Sequence, residues 1–237
     1  MSISQNARIC AAPLLAALLL TGACGKSSGS PTTPTTGTPN TPAANRAPQI
    51  TAATVTPASG ISTLTTHAFS ASATDPDGDT LTYSWDFGNG TSASSAGASV
   101  IYNNAQTTTY QAVLRVSDGK GGTTTSTVPV LSAALSGTFT GTLIGAPLSV
   151  TLTQVLGGIV SGTWEVPAVG LTGEVGPAGE PGTIDASGRF ELRFKVRVGN
   201  FIDFHYRGTM DNTGQTLTGT LHGSGFTGEA LILSKSK

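Results

Sequence analysis

The sequence predicts an all-β protein made of two domains, a β-sandwich followed by a small antiparallel meander β-barrel. Composition indicates strands, because the 237 residues include 31 glycines and only 11% are charged. No window after the first 24 residues sustains the 3.6-residue apolar spacing of a helix. Two further observations define the domains: residues 75–90 contain a strand with strict alternation, and a glycine motif recurs six times after residue 135.

The first domain is predicted over residues 47–131 and is centred on the segment DPDGDTLTYSWDFGNG. Leu81, Tyr83, Trp85 and Phe87 alternate with polar residues, so one face of this strand is buried and Trp85 anchors the core. Turn residues separate it from other short strands, which is typical of a sandwich. We predict strands over residues 49–55, 67–73, 81–87, 99–102, 108–117 and 123–130.

Residues 85–90, WDFGNG, resemble the signature of the PKD domain, an immunoglobulin-like module named after polycystic kidney disease. Asn89 replaces the usual aspartate of that signature. The resemblance implies an immunoglobulin-like β-sandwich. Some PKD domains bind calcium through an asparagine at the domain entrance, two aspartates of the DPDGD-like turn and an aspartate of a later SDG turn. The residues that match these places, and are therefore the predicted metal ligands, are Asn45, Asp75, Asp77 and Asp118.

The acidic turn itself supports two interpretations. Three carboxylates within five residues repel one another unless they are solvated or bound to a cation, and calcium prefers hard oxygen ligands of this kind. In the alternative, the aspartates form Asx-type turns and discourage aggregation without an ion. If Ca²⁺ binds, we expect its role to be structural, and no other cofactor is predicted.

The second domain is predicted over residues 135–237, where the pattern apolar-x-Gly-x-apolar recurs. The glycines of the pattern are Gly141, Gly162, Gly173, Gly208, Gly219 and Gly228. Alternation puts each of them on the apolar face of its strand, where the missing side chain permits tight coiling of a closed sheet. We therefore predict an antiparallel meander barrel, which resembles lipocalin-like and avidin-like barrels.

The most regular strand covers residues 189–198, with apolar side chains inward and charged side chains outward. A three-residue turn after it would pair Val196 with Phe204 and Arg197 with Asp203. This register leaves a basic outer stripe that could meet lipid headgroups or an anionic polysaccharide. The stripe consists of Arg193, Lys195, Arg197, His205 and Arg207. The alternative is a solvated strand face that discourages edge pairing.

The N-terminal residues predict export and anchoring. Residues 1–24 form a signal peptide, because Arg8 precedes an apolar run too short to span a bilayer. The ending Thr-Gly-Ala-Cys resembles the lipobox of bacterial lipoproteins, which implies cleavage before Cys24 and its lipidation; an ordinary secretory signal is the alternative. Gly25, in place of the aspartate associated with inner-membrane retention, favours the outer membrane of a Gram-negative host. Residues 25–46, rich in Thr, Pro and Ser, are predicted to be a disordered tether.

Composition and motifs narrow the function classes. The net charge is −1 and there is no basic block, which removes the main electrostatic argument for nucleic-acid binding. No motif places a nucleophile or paired carboxylates, so an enzyme is not predicted. We expect a lipid-anchored cell-envelope protein that binds glycan or protein. The alternatives are a small-ligand carrier and a structural envelope component, and the carrier fails if Phe139, Trp164, Phe194 and Tyr206 fill the barrel.

Overall fold

A computed structural model of the chain describes residues 43–196 and 203–237, and these residues are mostly β-strand. The first eight strands are β1 (Gln49–Thr56), β2 (Ser59–Ile61), β3 (Thr66–Thr74), β4 (Thr82–Asp86), β5 (Ser92–Ala93), β6 (Gly97–Ile101), β7 (Thr108–Ser117) and β8 (Thr123–Ala133). The next nine are β9 (Gly137–Leu143), β10 (Ala146–Gln154), β11 (Ile159–Val166), β12 (Leu171–Val175), β13 (Gly182–Ile184), β14 (Arg189–Val196), β15 (Asp203–Met210), β16 (Thr216–Gly223) and β17 (Phe226–Lys235).

Two short 3-10 turns, Leu156–Gly158 and Pro167–Val169, connect strands of the second group. In the part of the chain that the structure describes, no helix is both long and apolar enough to cross a membrane. The predicted signal peptide, Cys24 and the tether up to residue 42 lie outside the described residues.

Strands β1–β8 form a sandwich of two sheets, in the orders β1-β3-β6 and β2-β8-β7-β4-β5. The sheets enclose one core, in which the rings of Phe69 and Trp85 lie 5.1 Å apart and Trp85 is 1% exposed. The six predicted strands are confirmed as β1, β3, β4, β6, β7 and β8. Strands β2 and β5 go unpredicted, because three and two residues are too short to show alternation.

Strands β9–β17 form a closed antiparallel barrel with eight strand positions, which confirms the predicted meander. Neighbours along the chain pair with one another, and β17 closes the barrel by pairing with β9. Strands β12 and β13 share one position between β11 and β14. On β11, β12 pairs with residues 162–166 and β13 with residues 159–160. Residues 176–181 form a loop that interrupts this shared position.

The repeated glycines lie where neighbouring barrel strands are too close for a side chain. A Cβ atom on Gly162 would lie 2.0 Å from the carbonyl oxygen of Thr151, and one on Gly208 would lie 2.0 Å from that of Thr218. A Cβ atom would likewise lie 2.0–2.5 Å from a backbone carbonyl oxygen at Gly141, Gly173 and Gly219. At these five positions the predicted cause of the repeat, tight coiling of a closed sheet, is confirmed.

The sixth glycine of the motif is a different case, and its prediction is wrong. Gly228 has a φ of +125° and lies in a β-bulge of β17 opposite Leu221 and His222. The extra residue reverses the alternation, so that Ala230 is exposed and Leu231 is buried. Gly228 therefore serves the backbone conformation of a bulge rather than the close approach of two strands.

The predicted register of β14 and β15 is wrong by two residues. Phe194 pairs with Phe204 and Lys195 with Asp203, whereas the prediction paired Phe204 with Val196. A shift of two residues keeps every side chain on its own face, so the alternation holds although the pairing does not. The turn that sets this register lies in residues 197–202, outside the described part of the chain.

Large side chains fill the barrel. Phe139, Trp164, Phe194 and Tyr206 are all buried and belong to one contiguous core cluster. The ring centroids of Trp164 and Phe194 are 6.0 Å apart, and those of Phe194 and Tyr206 are 6.5 Å apart. The Tyr206 hydroxyl lies 2.9 Å from the backbone carbonyl oxygens of Leu217 and Leu231, so its one proton has an acceptor within the interior. This packing disfavours the carrier alternative, which requires an open interior.

A buried segment joins the sandwich to the barrel within one compact unit. Strand β8 runs on to Ala133, and both Ala133 and Leu135 are 0% exposed. Ile61 of β2 belongs to the core cluster of the barrel. The side chain of Gln154, on β10, accepts the Leu135 N–H at 2.8 Å and donates to the carbonyl of Ser62 at 2.9 Å. The connection is therefore a packed interface and not an exposed linker.

Candidate functional site

Two turns at one end of the sandwich carry acidic side chains. In the first, Asp75 Oδ1 accepts the backbone N–H groups of Asp77 at 2.8 Å and Asp79 at 3.1 Å. In the second, Asp118 Oδ1 accepts the backbone N–H of Lys120 at 2.7 Å. These are the Asx-type turns expected of such sequences, and they fix the directions of the Asp75 and Asp118 side chains.

The two turns bring three carboxylates together. One oxygen from each of Asp75, Asp79 and Asp118, which we name the acidic cluster, lies within 4.8 Å of the others. Asp118 is 4% exposed, and Asn45 Nδ2 donates to its Oδ2 at 2.7 Å, which lowers the pKa of Asp118. Gly122 leaves the necessary room, because a Cβ atom there would lie 2.1 Å from Asp118 Oδ2. Within residues 43–196 and 203–237, no other group of three such side chains is this close.

The acidic cluster has unused ligand atoms. Asp75 Oδ2 and Asp79 Oδ2 are buried, and neither has a hydrogen-bond partner. Lys120 Nζ lies 2.5 Å from the other oxygen of Asp79, and the contact raises the pKa of Lys120. A buried carboxylate oxygen without a partner is costly, and three converging carboxylates suit calcium. The acidic cluster therefore fits a calcium ion, with the Lys120 ammonium as a competing counter-ion.

Asp77, one of the four predicted ligands, is engaged elsewhere. Arg46 Nε donates to Asp77 Oδ1 at 2.9 Å, and the Arg46 backbone N–H donates to Asp77 Oδ2 at 2.7 Å. These hydrogen bonds lower the pKa of Asp77. The structure thus brings Asn45 and Asp75 to Asp118, and Asp79 joins this group whereas the predicted ligand Asp77 does not. The arginine at the domain entrance is the sequence signal that could have separated the two aspartates.

Acidic side chains balance the predicted basic stripe on the outer face of β14 and β15. Arg193 Nε donates to Asp203 Oδ1 at 2.8 Å, and Arg193 Nη1 lies 2.6 Å from a carboxylate oxygen of Glu180. Lys195 Nζ lies 2.6 Å from the other Glu180 oxygen. The Arg193 hydrogen bond lowers the pKa of Asp203, and the Lys195 hydrogen bond lowers the pKa of Glu180.

Arg207 and His205, two further members of the stripe, also have an acidic partner. Arg207 Nη2 donates to Glu191 Oε1 at 2.7 Å, and His205 Nδ1 lies 3.0 Å from the same oxygen. The Arg207 hydrogen bond lowers the pKa of Glu191. Arg197 lies outside the described residues. The described members of the stripe therefore have acidic partners within the protein, so the expected surplus of positive charge for an anionic ligand is not found among them.

Comparison with known proteins identifies the first domain. Residues 45–131 match the family model of the PKD domain, so this part of the chain is a PKD domain, as the WDFGNG segment indicates. A search of curated proteins returns no match to the chain.

Solved structures include two with partial similarity. The PKD1 domain of Vibrio anguillarum Epp is 29% identical, and the alignment covers 38% of this chain and 96% of that one with a TM-score of 0.29. A structure described as showing the basis for promiscuous specificity of carbohydrate-binding modules from the β-sandwich superfamily is 18% identical. That alignment covers 81% of this chain and 86% of the other, with a TM-score of 0.35.

Proposed function

We propose that this PKD-domain protein is a lipid-anchored component of the bacterial cell envelope whose barrel recognises a glycan at its outer wall. The observation that carries the proposal is the packed interior of the barrel, because a ligand must then bind from outside. The lipid predicted on Cys24 would attach the protein to the membrane, and the tether would let the folded domains extend away from it. The PKD domain is then a spacer between the tether and the barrel.

The geometry of the sandwich supports the role of a spacer. The described chain enters beside the acidic cluster, where Asn45 donates to Asp118. The barrel begins beyond the other end of β8, which runs over Thr123–Ala133. Eleven residues of strand span about 36 Å at 3.3 Å per residue, so the barrel is held roughly that far from the entrance. The buried junction at Gln154 fixes the barrel in this position.

We expect the lipid on Cys24 to determine whether the protein partitions into a detergent phase or into the aqueous phase. Expressed with its full N-terminus in a bacterial host, the chain should enter the detergent phase of a phase-separating detergent, and its N-terminal peptide should carry the mass of attached acyl chains. A Cys24→Ala variant should remain in the aqueous phase. Recovery of the parent chain in the aqueous phase, with a mature N-terminus that lacks acyl mass, would contradict the anchor.

Recognition is tested by cosedimentation of the detergent-solubilised full chain with envelope fragments. Retention that survives protease treatment of the fragments but is lost after periodate oxidation of their sugars supports a glycan. The opposite pattern identifies a protein partner. Absence of retention on untreated fragments contradicts recognition and leaves the structural alternative.

We further propose that Ca²⁺ binds the acidic cluster in a structural role, held by Asp75, Asp79 and Asp118 with Asn45 beside them. The support is the pair of buried carboxylate oxygens without hydrogen-bond partners. The ion would bridge the acidic turn and the turn after β7, and would take over the charge balance that Lys120 provides.

Calcium is therefore expected to raise the melting temperature of the full chain, by several degrees when the ion is in about hundredfold excess over its Kd. Asp79→Asn should abolish most of this rise. Asp77→Asn is the matched control, because Asp77 binds Arg46, and it should keep the rise. Calorimetry with and without Ca²⁺ measures the melting temperature of the parent and of each variant. Loss of the rise in Asp77→Asn but not in Asp79→Asn would favour the ligand set expected from the sequence, and no rise in the parent would contradict the site.

A further inference from the structure

The outer wall of the barrel carries short hydroxyl side chains across four neighbouring strands, β9 to β12. The outward residues of this type are Thr138, Thr140, Thr142, Ser149, Thr151, Thr153, Ser161, Thr163 and Thr172. Backbone pairing aligns them in rows that run across the strands. In one row Ser149 lies opposite Glu165, and Glu165 lies opposite Thr172. Adjacent strands are about 4.8 Å apart, so each row presents polar groups at a short, regular spacing.

These rows line a surface depression, which we name the hydroxyl groove. Its polar lining consists of Ser149, Thr151, Thr163, Glu165 and Thr172. Trp164 and Gly173 complete the lining between them. Trp164 is buried, and its indole Nε1 donates to the carbonyl of Lys195 at 3.2 Å. The groove therefore has a rigid base and a rim of small polar side chains.

Most polar atoms of the hydroxyl groove are free to bind a ligand. Among the residues that the structure describes, the side chains of Ser149, Thr163, Glu165 and Thr172 have no hydrogen-bond or ion-pair partner. Thr151 is the exception, because its hydroxyl lies 3.0 Å from that of Thr138. Hydroxyl groups both donate and accept hydrogen bonds, whereas the Glu165 carboxylate only accepts them. The groove can thus satisfy a partner that offers donors and acceptors together.

We propose that the hydroxyl groove binds a neutral polysaccharide chain; this inference rests on the proposed function and names the site and the ligand class. Sugar hydroxyl groups match the donors and acceptors of the groove, and two of them can donate to Glu165. The free carboxylate of Glu165 disfavours an anionic glycan. Among the residues that the structure describes, Arg193 and Lys195 of the neighbouring strand β14 offer no counter-charge, because both are paired with Glu180.

Native affinity electrophoresis tests the inference with the full chain in detergent. Gels that contain dextran, laminarin or hydroxyethyl cellulose present neutral chains, and gels that contain alginate or heparin present anionic ones. The parent should be retarded by at least one neutral polysaccharide. The variant Thr163→Val, Thr172→Val removes two hydroxyl groups at nearly constant shape and should bind about tenfold more weakly or worse.

The matched control is Thr209→Val, Thr218→Val, an exposed cross-strand pair of β15 and β16 on another part of the wall. It should bind like the parent, and equal melting temperatures should show that both variants fold. If both variants and the parent are retarded equally, the hydroxyl groove is not the binding site, although the protein still recognises a glycan. Retardation of the parent only by anionic gels would overturn the neutral ligand class. No retardation in any gel, together with no retention on envelope fragments, would overturn the proposed function itself.

Discussion

Gly208→Ala is expected to destabilise the barrel by about 3 kcal/mol or more, a large share of the roughly 5–15 kcal/mol by which a domain is folded. The added Cβ atom would lie 2.0 Å from the Thr218 carbonyl oxygen and 2.6 Å from the Cα atom of Gly219. Both are backbone atoms, so no side chain can move aside. Relief requires that β15 and β16 separate, and separation breaks the ladder on which barrel closure depends.

The matched control is Gly97→Ala on β6 of the sandwich. There a Cβ atom would meet only the Phe69 carbonyl oxygen, at an ordinary 3.8 Å, so the change is expected to be neutral or slightly stabilising. Urea unfolding followed by circular dichroism measures both variants. A Gly208→Ala protein that unfolds at the midpoint of the parent would show that the barrel strands can move apart without cost, and the proposed reason for the glycine repeat would then be wrong.

The barrel illustrates which features can be predicted from local sequence. Alternation has a period of two residues, and it correctly separates buried Phe194 from outward Arg193. The same period makes a register shift of two residues invisible to the pattern, which is why the pairing of Phe204 was mispredicted. Register depends on the length of the connection, and the alternation carries no information about that length.

The acidic cluster shows the same limit in the candidate site. Asn45, Asp75 and Asp118, which the resemblance to the PKD domain selects, lie together in the structure. The choice between Asp77 and Asp79 depends on Arg46, which lies 31 residues before Asp77 in the chain. Two carboxylates of one short turn look equivalent in sequence until the positions of distant cations are known. The hydroxyl groove cannot be predicted from local sequence either, because it combines residues of three strands whose register is a tertiary property.

A buried glutamine with no local sequence signal bridges the two domains at their junction. Gln154 and Ser62 are 92 residues apart, yet the Gln154 amide satisfies the Ser62 carbonyl and the Leu135 N–H. Ser62 and Leu135 are at most 1% exposed, so water cannot replace the side chain without rearrangement. Loss of the amide would leave a donor and an acceptor buried without partners, each at a cost of about 1–3 kcal/mol.

Gln154→Ala is therefore expected to destabilise the protein by about 2–5 kcal/mol and to uncouple the two domains. The chain has two tryptophans, Trp85 in the sandwich and Trp164 in the barrel. Fluorescence of Trp85→Phe and Trp164→Phe backgrounds therefore reports each domain separately. With Gln154 intact the two reporters should unfold at one denaturant concentration, whereas in Gln154→Ala their midpoints should diverge.

Two further variants separate hydrogen bonding from other effects at the junction. Gln154→Glu keeps the size of the side chain, but an ionised carboxylate cannot donate to the Ser62 carbonyl, so it should destabilise as strongly as alanine. Gln215→Ala removes an exposed glutamine of the barrel and should have little effect. If the midpoints stay together in Gln154→Ala, apolar packing around Ile61 is sufficient to couple the domains. If Gln154→Glu is as stable as the parent, the hydrogen bond that the Gln154 amide donates to Ser62 does not couple the barrel to the PKD domain.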